Sequence, residues 1–480
     1  MSELLTPQAI EAPTPPLLVN GGGAPPPVES HSTVMDRQNR LPRYVAGALL
    51  AGAAILTSNL APQEHPKAEA TPAFVIPPAH PLPERGQVVY PPINKAATDF
   101  AQDILHAPEN PDIKHAEADL LQTVQQAEPL GPVRLDKRRF LTPFEKDIAL
   151  FSVEQKVADE MGLTVHNPEP YLAPLRDDLY PQNGSQGQAS LPFEVYFNAA
   201  KEYLHKFGIS ARVSNDTEEL AFHQHSPTPE GLETPRAKES MFNIIRAFGR
   251  MPKEYVRDVA GTNEIILTAG SGPVAFTQSN DPHGHRKIWF NMSNLSTRPV
   301  VFHEIFHDAD NAMGGGWEAT DTGDTAYNAI NTGATYGKHS NARTVTAFWR
   351  EVHDKYVEKQ DLRLKNNMSG ACSVQAKLQN MKEQATTLSL ADAYSRNNIV
   401  EDKAVIGANI PDQYGPVDML DPTTPRIVRK FTLLYSRLAY YAPRVAFFFS
   451  KTSQRGDEQT IQTRETYFEP DCIIPVTGSK

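Results

Sequence analysis

Hydrophobic and polar positions fall into regular periods only from about Arg139 onward. Phe144, Ile148, Phe151, Val157 and Met161 recur at spacings that share one stripe, so 144–161 is predicted to be helical. Glu194–Phe207 and Met241–Phe248 follow the same pattern. The period then shortens. EIILT, from Glu264 to Thr268, is a β-branched run between Gly261 and Gly270, and PVAFT (Pro273–Thr277) and KIWFN (Lys287–Asn291) read as two further strands. A short loop, Met292–Arg298, leads to Pro299, which sits where a helix tolerates proline, in its first turn. The helix that follows begins VVFHEIFHDAD and closes on Gly314, Gly315 and Gly316. Ala319–His339 is rich in Gly, Thr, Asp and Asn and is expected to be a long loop. Ala342–Gln360 and Arg426–Tyr441 are expected to be helices, the second broken by Pro443 before Ala446–Phe449. Strands directly before a buried helix predict a small mixed sheet packed on that helix, with a mostly helical region after it.

The amino-terminal part obeys no such period. Of the chain's 41 prolines, 17 precede residue 93. Residues 1–42 contain Pro25-Pro26-Pro27 and Gly21-Gly22-Gly23 with few large apolar side chains, and are expected to be disordered because they cannot bury enough surface to offset chain entropy. Residues 43–61 differ: Tyr44–Leu56 is uncharged and mostly apolar, behind Arg37, Arg40 and Arg43. Basic residues before an apolar run fit an export signal or membrane anchor through 44–60, although the run is shorter than the ~20 residues of a full span. A buried Ala-rich helix is the alternative. Either export outcome, anchored or secreted, puts the rest of the chain outside the cytoplasm. Residues 62–136 remain proline-rich and polar, a linker or wrapping segment with one amphipathic piece near Ala116–Glu128, and 137–480 is the expected globular domain.

Charge and cysteine content narrow the classes. A formal net charge of -11 argues against a nucleic-acid binder, which needs a basic face. Cys372 and Cys472 are the only cysteines. They cannot build a Cys-rich zinc cluster, and allow one bridge in an oxidising compartment or two separate thiols. The sequons at Asn291, Asn294 and Asn367 matter only in a glycosylating host.

The chemistry lies in HEIFH. Four residues separate His303 from His307, so both imidazoles sit on one helical face and can reach one ion, with zinc the metal expected. Glu304 is placed to take a proton from a metal-bound water, as a general base. Val300, Val301, Phe302, Ile305 and Phe306 surround them, so the helix should be buried, and burying two histidines and a glutamate with no function would be costly. Satisfied core histidines are the bland alternative.

A catalytic zinc needs a third protein ligand and an open position. The metzincin pattern would want Gly at 310 and His at 313, where this chain has Asp310 and Met313. Glu318, in the Gly-rich segment, and Glu351, on a helix with Arg350 and Asp354, are weak candidates. Glu401 is the better one, since an acid among Ile399, Val400, Ala404, Val405 and Ile406 asks for a partner. Asn397 or Asn398 can cap that helix. Tyr394, seven residues earlier, can reach a reacting carbonyl or can be a packing tyrosine. His283 and His285 fit an exposed polar turn better than a second metal site.

HEIFHDAD together with YSRNNIVED resembles the gluzincin metallopeptidases, especially the catalytic domain of anthrax lethal factor and its bacterial relatives. The likeness covers roughly Met251–Phe449. It implies a zincin-like α+β domain in which His303, His307 and Glu401 bind zinc and Glu304 is the base. Tyr394 would stabilise the oxyanion or protonate the leaving group, and Asp310 would orient a histidine from behind. Those relatives carry an aromatic and an acid where this chain has Lys403 and Val405, and the stretch between His307 and Glu401 is long. The implied activity is hydrolysis of a protein or peptide substrate, lying extended along KIWFN or PVAFT by β-addition. A zincin-fold binding or toxin-like module without turnover, and a membrane-anchored scaffold, are the competing readings.

Overall fold

A computed structural model describes residues 76, 78–83, 111–127, 140–180, 189–214, 229–269, 273–278, 286–294, 297–315, 324–331, 336–337, 342–411, 424–453 and 467–468. The stretches 1–42 and 43–61 lie outside these residues, as does much of 62–136. Among the described residues no helix is long and apolar enough to cross a membrane.

The architecture is mixed α+β, mostly helical, with one small sheet. Four helices come first: α1 (Pro111–Ala127), α2 (Pro143–Met161), α3 (Glu169–Leu179) and α4 (Phe193–His205). Strand β1 (Ser210–Val213) and helix α5 (Pro235–Phe248) follow, then a π-helical turn, Tyr255–Ala260. Strands β2 (Thr262–Thr268), β3 (Ala275–Gln278) and β4 (Arg286–Asn291) come next, and helix α6 (Arg298–Ala312) carries HEIFH. The rest is helical: α7 (Val345–Leu364), α8 (Met368–Ala385), α9 (Ile399–Gly407), α10 (Pro425–Tyr441) and α11 (Pro443–Lys451).

The sheet order is β1-β2-β4-β3. The β1–β2 and β2–β4 pairs are parallel, and β3 runs antiparallel to β4 with Thr277 opposite Ile288. Period-two alternation turns Ile265 and Leu267 of β2 and Ile288 and Phe290 of β4 into the same core as Val301, Phe302, Ile305 and Phe306 of α6. The expected sheet-on-helix arrangement is therefore present. KIWFN, however, is β4, flanked on both sides, while β3 from PVAFT ends the sheet among the described residues.

Local chemistry sets the helix ends. Thr142 and Glu145 form a reciprocal capping box at α2, and Gly162 closes that helix in the left-handed region. Helix α6 opens with proline in its first turn. It closes in a Schellman arrangement, with Gly314 at φ 80° and the Gly315 amide donating to Asp310 O at 2.8 Å.

Four features depart from expectation or decide between the alternatives it left. Helix α1 packs on α2 with Ile113 and Val124 buried, so this part of the stretch read as linker or wrapping segment lies against the packed body. The Ala319–His339 stretch contains ordered turns at Thr325–Asn328 and Ala329–Asn331, where the Asp324 side chain accepts from the Tyr327 amide and both residues are buried. Helix α8 and strand β1 are not among the expected elements, although α8 buries Ala371, Val374, Leu378, Met381 and Ala385 at three- and four-residue spacings, and α3 contains Pro174. Finally, Cys372 on α8 is disulfide-bonded; the other cysteine, Cys472, lies outside the described residues.

Candidate metal centre

Helix α6 supplies two of the ligands by spacing alone. One turn apart, His303 and His307 bring their Nε2 atoms to 3.0 Å from each other, the rings meeting edge to face. The third comes from α9, 98 residues after His303. Two devices deliver it. Asn398 caps α9, its side-chain oxygen accepting from the Glu401 amide at 2.9 Å, which fixes Glu401 in the first turn. Gly407, at the other end of α9, lies so close to the Phe306 ring that a Cβ there would sit 2.3 Å from it. Only glycine lets the two helices approach this closely.

Glu401 Oε2 consequently lies 2.9 Å from His303 Nε2 and 3.3 Å from His307 Nε2. Bonds of 2.0–2.2 Å to a tetrahedral ion would set neighbouring ligand atoms about 3.3 Å apart. The three edges of 2.9, 3.0 and 3.3 Å are close to that figure. Two imidazoles and one carboxylate are also a sound donor set for a divalent ion. His303, His307 and Glu401 can thus hold a metal ion, and among the described residues they are the group able to do so.

Two further side chains border this triad. The Glu304 carboxylate is buried, and burial pushes its pKa up to about 7; His303 and a hydrogen bond from Thr277 pull the other way, while Glu401 and Asp308 add to the rise. Tyr394 stands in a 3-10 turn, its ring centroid 5.6 Å from that of His303. Burial, then Glu401 and Glu304, push its phenol up to about 12, so it keeps its proton at neutral pH and can donate a hydrogen bond. Glu401 goes the opposite way: burial alone would raise it, but hydrogen bonds from His303 and His307 outweigh that and bring it to about 2. The carboxylate is therefore ready to coordinate.

No protein-family model, curated protein or solved structure matches the chain. Its site is described by its own geometry alone.

Behind the triad lies a buried charge network that the sequence did not announce. Asp310, expected to orient a histidine, has its carboxylate on Lys403 Nζ at 2.5 Å and on Arg437 at 3.1 Å. Arg437 also holds Asp324 at 2.7 Å, and Lys403 donates to Gly315 O at 2.6 Å. A Cβ at Gly315 would fall 2.1 Å from the Asp310 carboxylate, so glycine is required there. On the same helix as Glu401, Asp402 meets Lys430 at 2.5 Å and accepts from the Tyr327 and Tyr336 hydroxyls at 3.1 and 3.0 Å. Three cations and three carboxylates balance, as burial requires.

Of the other acids and histidines weighed from sequence, Glu351 is the one among the described residues, and it does not join the centre. Glu351 is ion-paired with Arg343 on α7. Glu318, His283 and His285 lie outside the described residues.

Proposed function

We propose that this chain is a zinc-dependent endopeptidase with a zincin-like catalytic domain of gluzincin type. The observation that carries the reading is the meeting of Glu401 with His303 and His307 across 98 residues of chain, beside a buried Glu304 carboxylate. A purely structural trio would have no use for a second acid next to it.

A zinc ion held there supplies a Lewis acid for the scissile carbonyl and a water acidified to a pKa of about 7. The residues do the rest. Glu304 takes the proton of the attacking water and passes it to the leaving nitrogen. Tyr394 donates to the carbonyl oxygen as that oxygen gains charge. Strand β3, at the sheet edge, offers main-chain groups to an extended protein or peptide substrate. Arg37, Arg40 and Arg43 before the apolar run 44–56 support export, anchored through 44–60 or secreted, and the disulfide at Cys372 fits an oxidising compartment.

Digestion of a broad peptide library by the full chain tests the reading, with Glu304→Gln alongside. The expected result is cleavage by the parent, abolished in the variant at equal zinc content. If the parent holds zinc and cuts nothing, the chain is a zincin-like binding or toxin-like module instead.

A further inference from the structure

The acid proposed as base does not stand alone in its buried place. Strand β3 alternates so that Ala275 and Thr277 face inward while Phe276 and Gln278 are more open. Inward positions of a strand packed on a helix are normally apolar, and the cross-strand neighbour of Thr277 is the core residue Ile288. A buried hydroxyl at such a position needs a partner. Thr277 Oγ1 has two acceptors, both on one residue: it lies 2.7 Å from Glu304 Oε2 and 3.1 Å from the Glu304 main-chain oxygen.

We propose that Thr277 is a positioning residue for Glu304, its hydroxyl fixing the carboxylate against the residue's own backbone and tying it to the edge strand. The inference rests on the endopeptidase reading and deepens it. A threonine hydroxyl has one proton and two lone pairs. While Glu304 is ionised, that proton goes to the carboxylate. When Glu304 has taken a proton from the attacking water on its other oxygen, Oε2 becomes the carbonyl oxygen of the acid and still accepts from the hydroxyl. The side chain of Glu304 is held in one place through both states. No proton leaves Thr277, and none is gained.

The strand adds a second consequence. Thr277 belongs to β3, the strand whose outer edge would align a substrate. The segment that fixes the peptide backbone is then the segment that fixes the base. Alignment of substrate and base is set by one four-residue strand, without an intervening loop.

Three variants of the full chain, Thr277→Val, Thr277→Ser and Glu304→Gln, test this. Valine keeps the shape and removes the hydroxyl; serine keeps the hydroxyl and removes the methyl. Thr277→Val is expected to lose about 10- to 100-fold in kcat, with KM within about twofold of the parent and zinc content unchanged. Thr277→Ser is expected to restore most of kcat. A readout independent of turnover comes from the metal-free protein. There the infrared carboxyl band assigned to Glu304, by its loss in Glu304→Gln, shifts in Thr277→Val and stays in place in Thr277→Ser. Parent-like kcat in Thr277→Val, equal losses in both Thr277 variants, or a Val deficit that follows lost zinc overturns the role of Thr277 while leaving the endopeptidase reading intact. A zinc-loaded parent that cleaves no peptide takes down both.

Discussion

Helices α6 and α9 each carry polar groups of two kinds, and the two kinds obey different rules. On the metal face His303, His307 and Glu401 converge, His307 buried but His303 and Glu401 keeping 12% and 22% of their side chains exposed. One turn further along α6, and at the two residues after Glu401 on α9, Asp310, Asp402 and Lys403 are sealed against Arg437, Asp324 and Lys430, with 5% or less exposed in each pair. The first group leaves donor atoms directed at a common point. In the second, every charge faces an opposite charge within the protein. A polar cluster kept for chemistry is left incomplete for an incoming ion or substrate, whereas one kept for architecture closes on itself. Asp402 and Lys403, the two residues after Glu401, show how short the distance between the two roles can be.

The comparison can be broken in four places. The largest effect is expected on the open face: Glu304→Gln should cut kcat by about 10²- to 10⁴-fold, the range of a lost general base. Its urea unfolding midpoint should not fall, because the charge removed is one that burial opposes. On the sealed face, Arg437→Leu should leave Asp310 and Asp324 with Lys403 as their remaining cation and cost about 3–5 kcal/mol, read from urea unfolding. Equal stability of that variant and the parent would show that the network is dispensable. Gly407→Ala tests the hinge between the faces. Its methyl meets the Phe306 ring, and overpacking of this sort costs about 1–3 kcal/mol; zinc affinity should fall with it, since α9 must back away from α6 and take Glu401 along.

The smallest effect concerns acid. Burial alone would raise the Asp310 carboxyl, but Lys403 and Arg437 outweigh it and hold the group below its ordinary value of 3.8. A depressed carboxylate contributes stability that is present above the unfolded value and is lost as pH falls through the folded one. The parent should therefore lose stability below about pH 4 more steeply than Asp310→Asn, as measured by the pH dependence of the urea midpoint. A steeper loss in the variant would reverse the sign of the argument.

The open face was legible in the sequence because its logic is local. A four-residue spacing on one helix, an apolar setting, and an acid stranded in a second apolar helix sufficed to single out His303, Glu304, His307 and Glu401. The sealed face was not, because its partners at 310, 324, 403, 430 and 437 are brought together only by the packing of three helices and a turn. Nothing in the one-dimensional pattern marks Lys403 or Lys430 as buried. Asp310 shows the same limit: its position one turn after His307 is visible in sequence, and the cations opposite it, Lys403 and Arg437, are not. Thr277 carried a faint signal, a hydroxyl residue on the inward side of an alternating strand. Helix α8 carried a mark that is easily passed over, the stripe Ala371, Val374, Leu378, Met381 and Ala385, diluted by two alanines and by the polar residues between.

Zinc binding by the metal-free full chain, compared with Glu401→Ala in the same titration calorimeter, tests the central claim most directly. The account predicts one zinc per chain for the parent and an affinity at least about 100-fold weaker once the third ligand is gone. Equal affinities for the two proteins, or no zinc taken up by the parent, would contradict it.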